Sequence, residues 1–163
     1  MSSEDKINHE LESLKEQSQY CGVSRVYRAA DVKTLLNKPF SKSEEEGVLY
    51  LYREKTPGGK VQYKAGRTND IVRRMEQWKT QCYKSDIELL ETIKTLHSHR
   101  LETAVHLWFK VIGAWVVPYP CESCGIRHRE KFEFGVNVDA LGDKGVEKAI
   151  KIAEQLRDEI DGL

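Results

Sequence analysis

Two clusters of residues have the types and spacing to do chemistry. The first is the run Tyr63-Lys64-Ala65-Gly66-Arg67-Thr68-Asn69-Asp70-Ile71-Val72-Arg73-Arg74-Met75-Glu76-Gln77-Trp78. Its β-branched and aromatic start reads as a strand over 61–65 that halts at Gly66, where the backbone can turn tightly. Thr68 or Asn69 offers an N-cap oxygen, Asp70 falls in the first turn, and a helix continues to about Gln81. Ile71, Met75 and Trp78 form its buried stripe. Gly66, Arg67, Arg73 and Arg74 then surround one strand-to-helix corner, where backbone N–H groups and guanidinium forks suit a phosphate. An ordinary α/β corner with a solvated arginine face would have the same pattern.

The second cluster is Cys121-x₂-Cys124-x₃-His128, a metal-ligand spacing with Gly125 placed to let the backbone curl around an ion. Cys82, at the end of the same helix, is the candidate fourth ligand, with Cys21 as competitor. Three thiolates and an imidazole imply a structural Zn²⁺ that pins the irregular stretch 113–130. A redox pair, a disulfide or unligated thiols are the alternatives, a disulfide being disfavoured in a reducing compartment.

These clusters sit in a chain of 163 residues, 39% hydrophobic and 32% charged, enough for one domain with appendages. No apolar run reaches the length of a membrane span, and the acidic, polar N-terminus is unlike a secretory signal. The expectation is an intracellular protein without a membrane partner, the nucleus being one candidate location. The net charge of +0 argues against simple coating of nucleic acid, but its distribution is uneven. Residues 47–84 hold 9 basic and 3 acidic side chains, whereas 1–46 and 135–163 are net acidic. A basic centre between acidic ends can still attract a phosphate backbone.

The elements that must position these residues follow from periodicity. Residues 4–19 favour a helix with a thin apolar stripe, either weakly docked or a frayed arm. A short helix over 28–37, with Asp31 as candidate cap, ends before Pro39, and 40–46 reads as an acidic linker. Residues 47–53 are a strong strand, Thr56-Pro57-Gly58-Gly59 a turn, and 61–66 the returning strand of a hairpin. A third strand spans 87–96 with Ile87, Leu89, Leu90 and Ile93 mostly alternating. Ser98 can cap a helix to Val111 whose inward face is Leu101, Val105, Trp108 and Phe109. Residues 131–138 can form a short strand, and an amphipathic helix closes the chain over 143–160. The expected fold is α+β: a small, three-stranded, mainly antiparallel sheet flanked by helices. Its expected divisions are an N-terminal helical arm and linker (1–46), a central domain with the Cys/His loop (47–138) and a C-terminal helix (139–163). Either terminal helix is a candidate for self-association.

With strand, hairpin, capped helix, third strand and second helix in that order, the chain resembles the GIY-YIG endonuclease superfamily. The closer likeness is to its fungal and phage branch, a DNA-binding domain named after a phage reading frame. The resemblance covers about residues 47–134 and rests on Val48-Leu49-Tyr50, Tyr63 to Asp70, Arg73-Arg74, Gln77-Trp78 and His99-Arg100-Leu101-Glu102. It implies a metal-dependent DNA endonuclease, RNA being a further possible substrate. Tyr50 matches the first-strand tyrosine, Gly66 the glycine after the second strand, Arg74 the helix arginine and Glu102 the metal-binding glutamate. Lys64 stands where a second tyrosine is usual, Trp78 where histidine or tyrosine is common, and Gly47 lies one place early.

The implied chemistry uses one Mg²⁺ or Mn²⁺ on Glu102, and Tyr50 to take a proton if nearby cations such as Lys64 lower its pKa. Arg74 would clamp the non-bridging oxygens, while Arg67, Arg73, Lys79 and His99 would hold flanking phosphates. Each residue also has an ordinary structural role open to it: Tyr50 in the core, Glu102 paired with Arg100 or His106. Two other functions fit the same residues. One is a nucleic-acid-binding domain that has lost cleavage; the other is a zinc-stabilised protein-interaction domain.

Overall fold

The computed structural model describes residues 27–133 and 143–163. In chain order the elements are α1 (Ala29–Leu36), β1 (Gly47–Lys55), β2 (Val61–Thr68), α2 (Ile71–Gln81), β3 (Asp86–Thr95), α3 (Ser98–Val111), β4 (Lys131–Phe132) and α4 (Asp143–Asp161). The expected helix at 4–19, Cys21, the strand continuation beyond 133 and the division after 138 lie outside the described residues.

The sheet is antiparallel with strand order β3-β1-β2-β4. This is the expected α+β arrangement of a small sheet flanked by helices, but among the described residues the sheet has four strands rather than three, because β4 adds to β2 through Tyr63↔Phe132 and Lys64↔Lys131. The apolar run of β1 is explained by its burial on both faces. Leu49 and Leu51, with Tyr63, Ala65 and Ile93, pack against Leu101, Val105, Trp108 and Phe109 of α3 and Ile152 and Leu156 of α4. Tyr50 and Tyr52 face the other way, onto Met75 and Trp78 of α2, Cys82 and Ile87.

The third strand departs from simple alternation. Leu51 faces Glu91 but Tyr52 faces Leu89, which leaves Leu90 as an extra residue. This bulge reverses the side-chain order, so Ile87 and Ile93 enter opposite layers and Leu89 stays exposed. An alternating reading of Ile87, Leu89, Leu90 and Ile93 misses it, since the extra residue is defined only by the partner strand.

Helix starts differ from expectation by a residue or two. The N-cap of α2 is Asp70, whose Oδ1 accepts the Arg73 N–H at 3.1 Å; Thr68 Oγ1 instead accepts the Asp70 N–H. Asp31 lies inside α1 and accepts the Arg28 N–H at 2.8 Å. Ser98 is the first residue of α3 rather than its cap. The open N–H groups of His99 and Arg100 are taken by the two oxygens of Glu44, at 2.8 and 2.9 Å. Arg100 donates from the same helix to the carbonyls of Leu36, Lys38 and Pro39 and lies over the Phe40 ring. Residues 36–46 are thereby fastened to α3. Among the described residues no helix is long and apolar enough to cross a membrane.

A carboxylate that caps a helix from outside it supplies about 1 kcal/mol. Glu44→Ala is expected to lower unfolding stability in urea by about that amount, whereas Glu46→Ala, exposed on the same connector, stays within about 0.5 kcal/mol. Equal effects of the two substitutions would contradict the capping role.

Candidate functional site

Tyr50 occupies the middle of β1 on the layer beneath α2 and is 1% exposed. A buried phenol needs hydrogen-bond partners. Its oxygen accepts from Trp78 Nε1 at 2.8 Å and from Arg74 Nε at 3.4 Å. Arg74 and Trp78 are four residues apart, so one face of α2 presents both. Opposite Tyr50 in the register is Gly66. The strand does not halt at Gly66; β2 runs on to Thr68 and this glycine lacks a positive φ. Its role is close approach: a Cβ there would lie 2.6 Å from Cζ of Tyr50 and nearer still to the hydroxyl oxygen. Burial raises the Tyr50 pKa, the donors Arg74 and Trp78 oppose that shift, and the charge of Glu130 adds to it.

The Trp78 ring is surrounded by cations. Lys64 Nζ lies 4.6 Å, the Arg74 guanidinium carbon 4.7 Å and Lys131 Nζ 5.8 Å from its centroid. An indole face can hold such charges where water cannot reach them. Lys64 is buried and ion-paired with Glu130; burial lowers its pKa while Glu130 opposes the change. Lys131 is equally buried, 2.9 Å from Glu54 Oε1 and donating to the Tyr52 hydroxyl at 2.7 Å.

Glu102 lies at the edge of this buried polar layer, accepting the backbone N–H of Arg67. Burial and then Glu130 raise its pKa, while Lys64 and Arg67 oppose the shift. Donor atoms of Glu102, His106 and Glu130 all lie within 4.8 Å of one another. His106 Nε2 is 2.5 Å from the Ala65 carbonyl, and burial lowers its pKa. A neutral ring donating from Nε2 leaves Nδ1 as an acceptor, the form that binds a cation. Two carboxylates and an imidazole are a donor set for a divalent ion such as Mn²⁺ or Mg²⁺. Sequence names His106 only as an ion-pair partner for Glu102, and it does not single out Glu130. Only the four-residue step from Glu102 hinted at His106; Glu130 arrives from the far end of the chain with no local signal.

The expected phosphate ligands divide. A polar pocket of about 350 Å³ opens at the β2–α2 corner, lined by Arg67, Arg73, Arg74, Asp70 and Gln77 among others. Arg73 is exposed there, and Arg74 Nη1 donates to Gln77 Oε1 at 3.1 Å. Arg67 lines the pocket as well but is already ion-paired with Glu45 and donates to Ser98 Oγ at 3.1 Å. Lys79 is exposed farther along α2 and is not among the lining residues. The α3 terminus that carries His99 is already filled by Glu44.

The second sequence cluster converges in space. Cys82 Sγ lies 3.9 Å from Cys121 Sγ and 3.7 Å from His128 Nε2; Cys124 Sγ lies 3.2 Å from the same nitrogen. All four donor atoms lie within 4.8 Å of one another, and the three cysteines form no disulfide. Burial, then Cys121, push the Cys82 thiol up to about 12. Burial works against ionising Cys124, but the Ile126 N–H and neighbouring donors outweigh it, and its pKa falls. Burial, then Lys131 and Lys64, lower the His128 pKa, which favours the neutral ring.

A side chain at position 66 must displace the Tyr50 ring or separate two paired strands. Gly66→Ala is expected to cost about 1–3 kcal/mol of stability, measured by denaturant unfolding. An unchanged midpoint would contradict the close approach.

Comparison with known proteins adds a family. The chain matches the T5orf172 domain over residues 47–157, more than half of its length and from the first residue of β1 into α4. No curated protein and no solved structure matches it. A domain of phage reading-frame origin is compatible with a nucleic-acid-related role, in keeping with the arginine corner and the buried Tyr50–Arg74 contact. On that match the chain belongs to the T5orf172 domain family.

Proposed function

We propose that this protein hydrolyses phosphodiester bonds of nucleic acid, DNA in the first instance, with a divalent cation and in the manner of GIY-YIG endonucleases. The observation that carries it is the meeting of unlike groups in one layer. The Tyr50 hydroxyl touches the Arg74 guanidinium, and Glu130 joins that pair electrostatically to Glu102 and His106. Arg74 also lines the open arginine corner, so a phosphate held there would share that guanidinium with the phenol.

Each residue then has a definable task. Arg74 and Arg73 bind non-bridging phosphate oxygens, a geometry for which a guanidinium is better shaped than an ammonium. Tyr50 accepts two hydrogen bonds at its oxygen, which would steady the phenolate if it gave up its proton. Burial raises the Tyr50 pKa, which favours the neutral phenol; a nearby cation would act in the opposite direction. Glu102, Glu130 and the acceptor nitrogen of His106 would hold the cation, Mg²⁺ or Mn²⁺. When bound, that ion supplies Lewis acidity and offsets charge at phosphorus. The basic excess over 47–84 draws the polyanion toward this face.

A second reading, binding without cleavage, is favoured by one observation. Lys64 takes the place of the usual tyrosine and ties up Glu130 in a buried ion pair. Plasmid nicking with Mg²⁺ or Mn²⁺ separates the two. Cleavage is expected from the wild type, falling by about 10²-fold or more in Arg74→Ala and in Glu102→Gln. Affinity for the plasmid is expected to fall with added salt. Salt-dependent binding with no nicking would overturn the nuclease and leave the binding domain. No salt-dependent affinity would overturn both and favour a protein-interaction role.

A further inference from the structure

We propose that Cys82, Cys121, Cys124 and His128 bind a single zinc ion, and that this ion sets the geometry of the Tyr50 layer. The proposal does not depend on the cleavage reading.

The distances suit zinc. Tetrahedral Zn²⁺ with Zn–S of about 2.3 Å and Zn–N of about 2.0 Å has S···S edges of roughly 3.8 Å and S···N edges of roughly 3.5 Å. The contacts of 3.9, 3.7 and 3.2 Å fall around those values. The set is closed, three sulfurs and one imidazole, which is the composition of a structural site rather than one with an open position.

The surroundings suit thiolates. Gly125 takes a φ of +75°, and the turn closes through Gly125 N–H to Cys121 O and Cys121 N–H to Ile126 O, each 2.9 Å. That curl aims the Ile126 N–H at Cys124 Sγ, while Gln81 Nε2 approaches the same sulfur at 3.8 Å. Ser85 and Ser123 hydroxyls, 3.2 Å apart, tie the loop to the chain just beyond α2. Such outer donors orient ligands and offset thiolate charge.

The coupling follows from where the ligands sit. Cys82 is the C-cap residue of α2, four residues beyond Trp78, and its N–H donates to the Trp78 carbonyl. The His128 ring stands edge-on to the Trp78 indole at 5.6 Å between centroids. Two residues after His128, Glu130 pairs with Lys64, and Lys131 next reaches Glu54 and Tyr52. An ion joining Cys82 to the 121–128 loop thus holds the end of α2 against the segment that supplies Glu130. Without it, few apolar side chains fasten the loop; Ile126 is exposed and Cys121 and Cys124 only half-buried.

Elemental analysis of the full chain purified without chelator is expected to find one zinc per chain. The apo protein refilled with Co²⁺ is expected to absorb as a tetrahedral thiolate complex, and Cys124→Ser to weaken that band. Should Cys124→Ser fail to fold, the Co²⁺ titration of the wild type decides the metal site by itself. The Trp78 indole N–H, followed by ¹⁵N NMR, is expected to exchange slowly with solvent when zinc is present and to lose protection when it is removed. Absence of zinc together with absence of the cobalt–thiolate band, or a Cys82–Cys121 disulfide in the native protein, would overturn the site. Bound zinc whose removal leaves Trp78 protection unchanged would overturn the coupling.

Discussion

A phenol hydroxyl in the middle of a sheet has to be satisfied without water, and the Tyr50 hydroxyl imposes that requirement on everything around it. Its two donors come from one face of α2, which fixes that helix over β1 and β2. The ring needs an opposing residue without a Cβ, and Gly66 supplies the space. Trp78, by donating its N–H to Tyr50, turns its faces toward Lys64, Arg74 and Lys131. One hydrogen bond thus joins helix placement, strand pairing and the siting of the buried cations.

Those cations shape the other half of the layer. Burying an ammonium is costly unless a partner carboxylate comes with it, and removing one partner of such a pair is strongly destabilising. Lys64 and Lys131 stand directly opposite each other on paired strands and draw on different partners, Glu130 and Glu54. Glu130 in turn lies close to Glu102 and His106, and its charge adds to the burial that raises the Glu102 pKa. A neutral total charge conceals this local arrangement.

Much of the scaffold was legible in the amino-acid order because it is encoded locally. The hairpin follows from the apolar run of β1, the turn at 56–59 and the β-branched return. The inward stripe of α3 follows from the spacing of Leu101, Val105, Trp108 and Phe109, all of them buried. The Cys/His set was legible because three of its members lie within eight residues. What sequence left hidden depends on distant partners. The Leu90 bulge exists only relative to β1, and Glu44 caps α3 from more than fifty residues away. Glu130 acquires meaning only once β4 pairs with β2. Gly66 reads in the sequence as a turn residue, because the Tyr50 ring that requires it belongs to the paired strand.

The proposed function requires a nucleic-acid phosphate at the arginine corner near Tyr50 and a cation on the Glu102 side. A crystal structure of the full chain with a short DNA duplex and Ca²⁺, an ion that commonly supports binding without turnover, tests it most directly. A phosphate within hydrogen-bond reach of Arg74 and an ion on Glu102 are expected. Duplex bound on another face, with positions 50, 74 and 102 untouched, would contradict it.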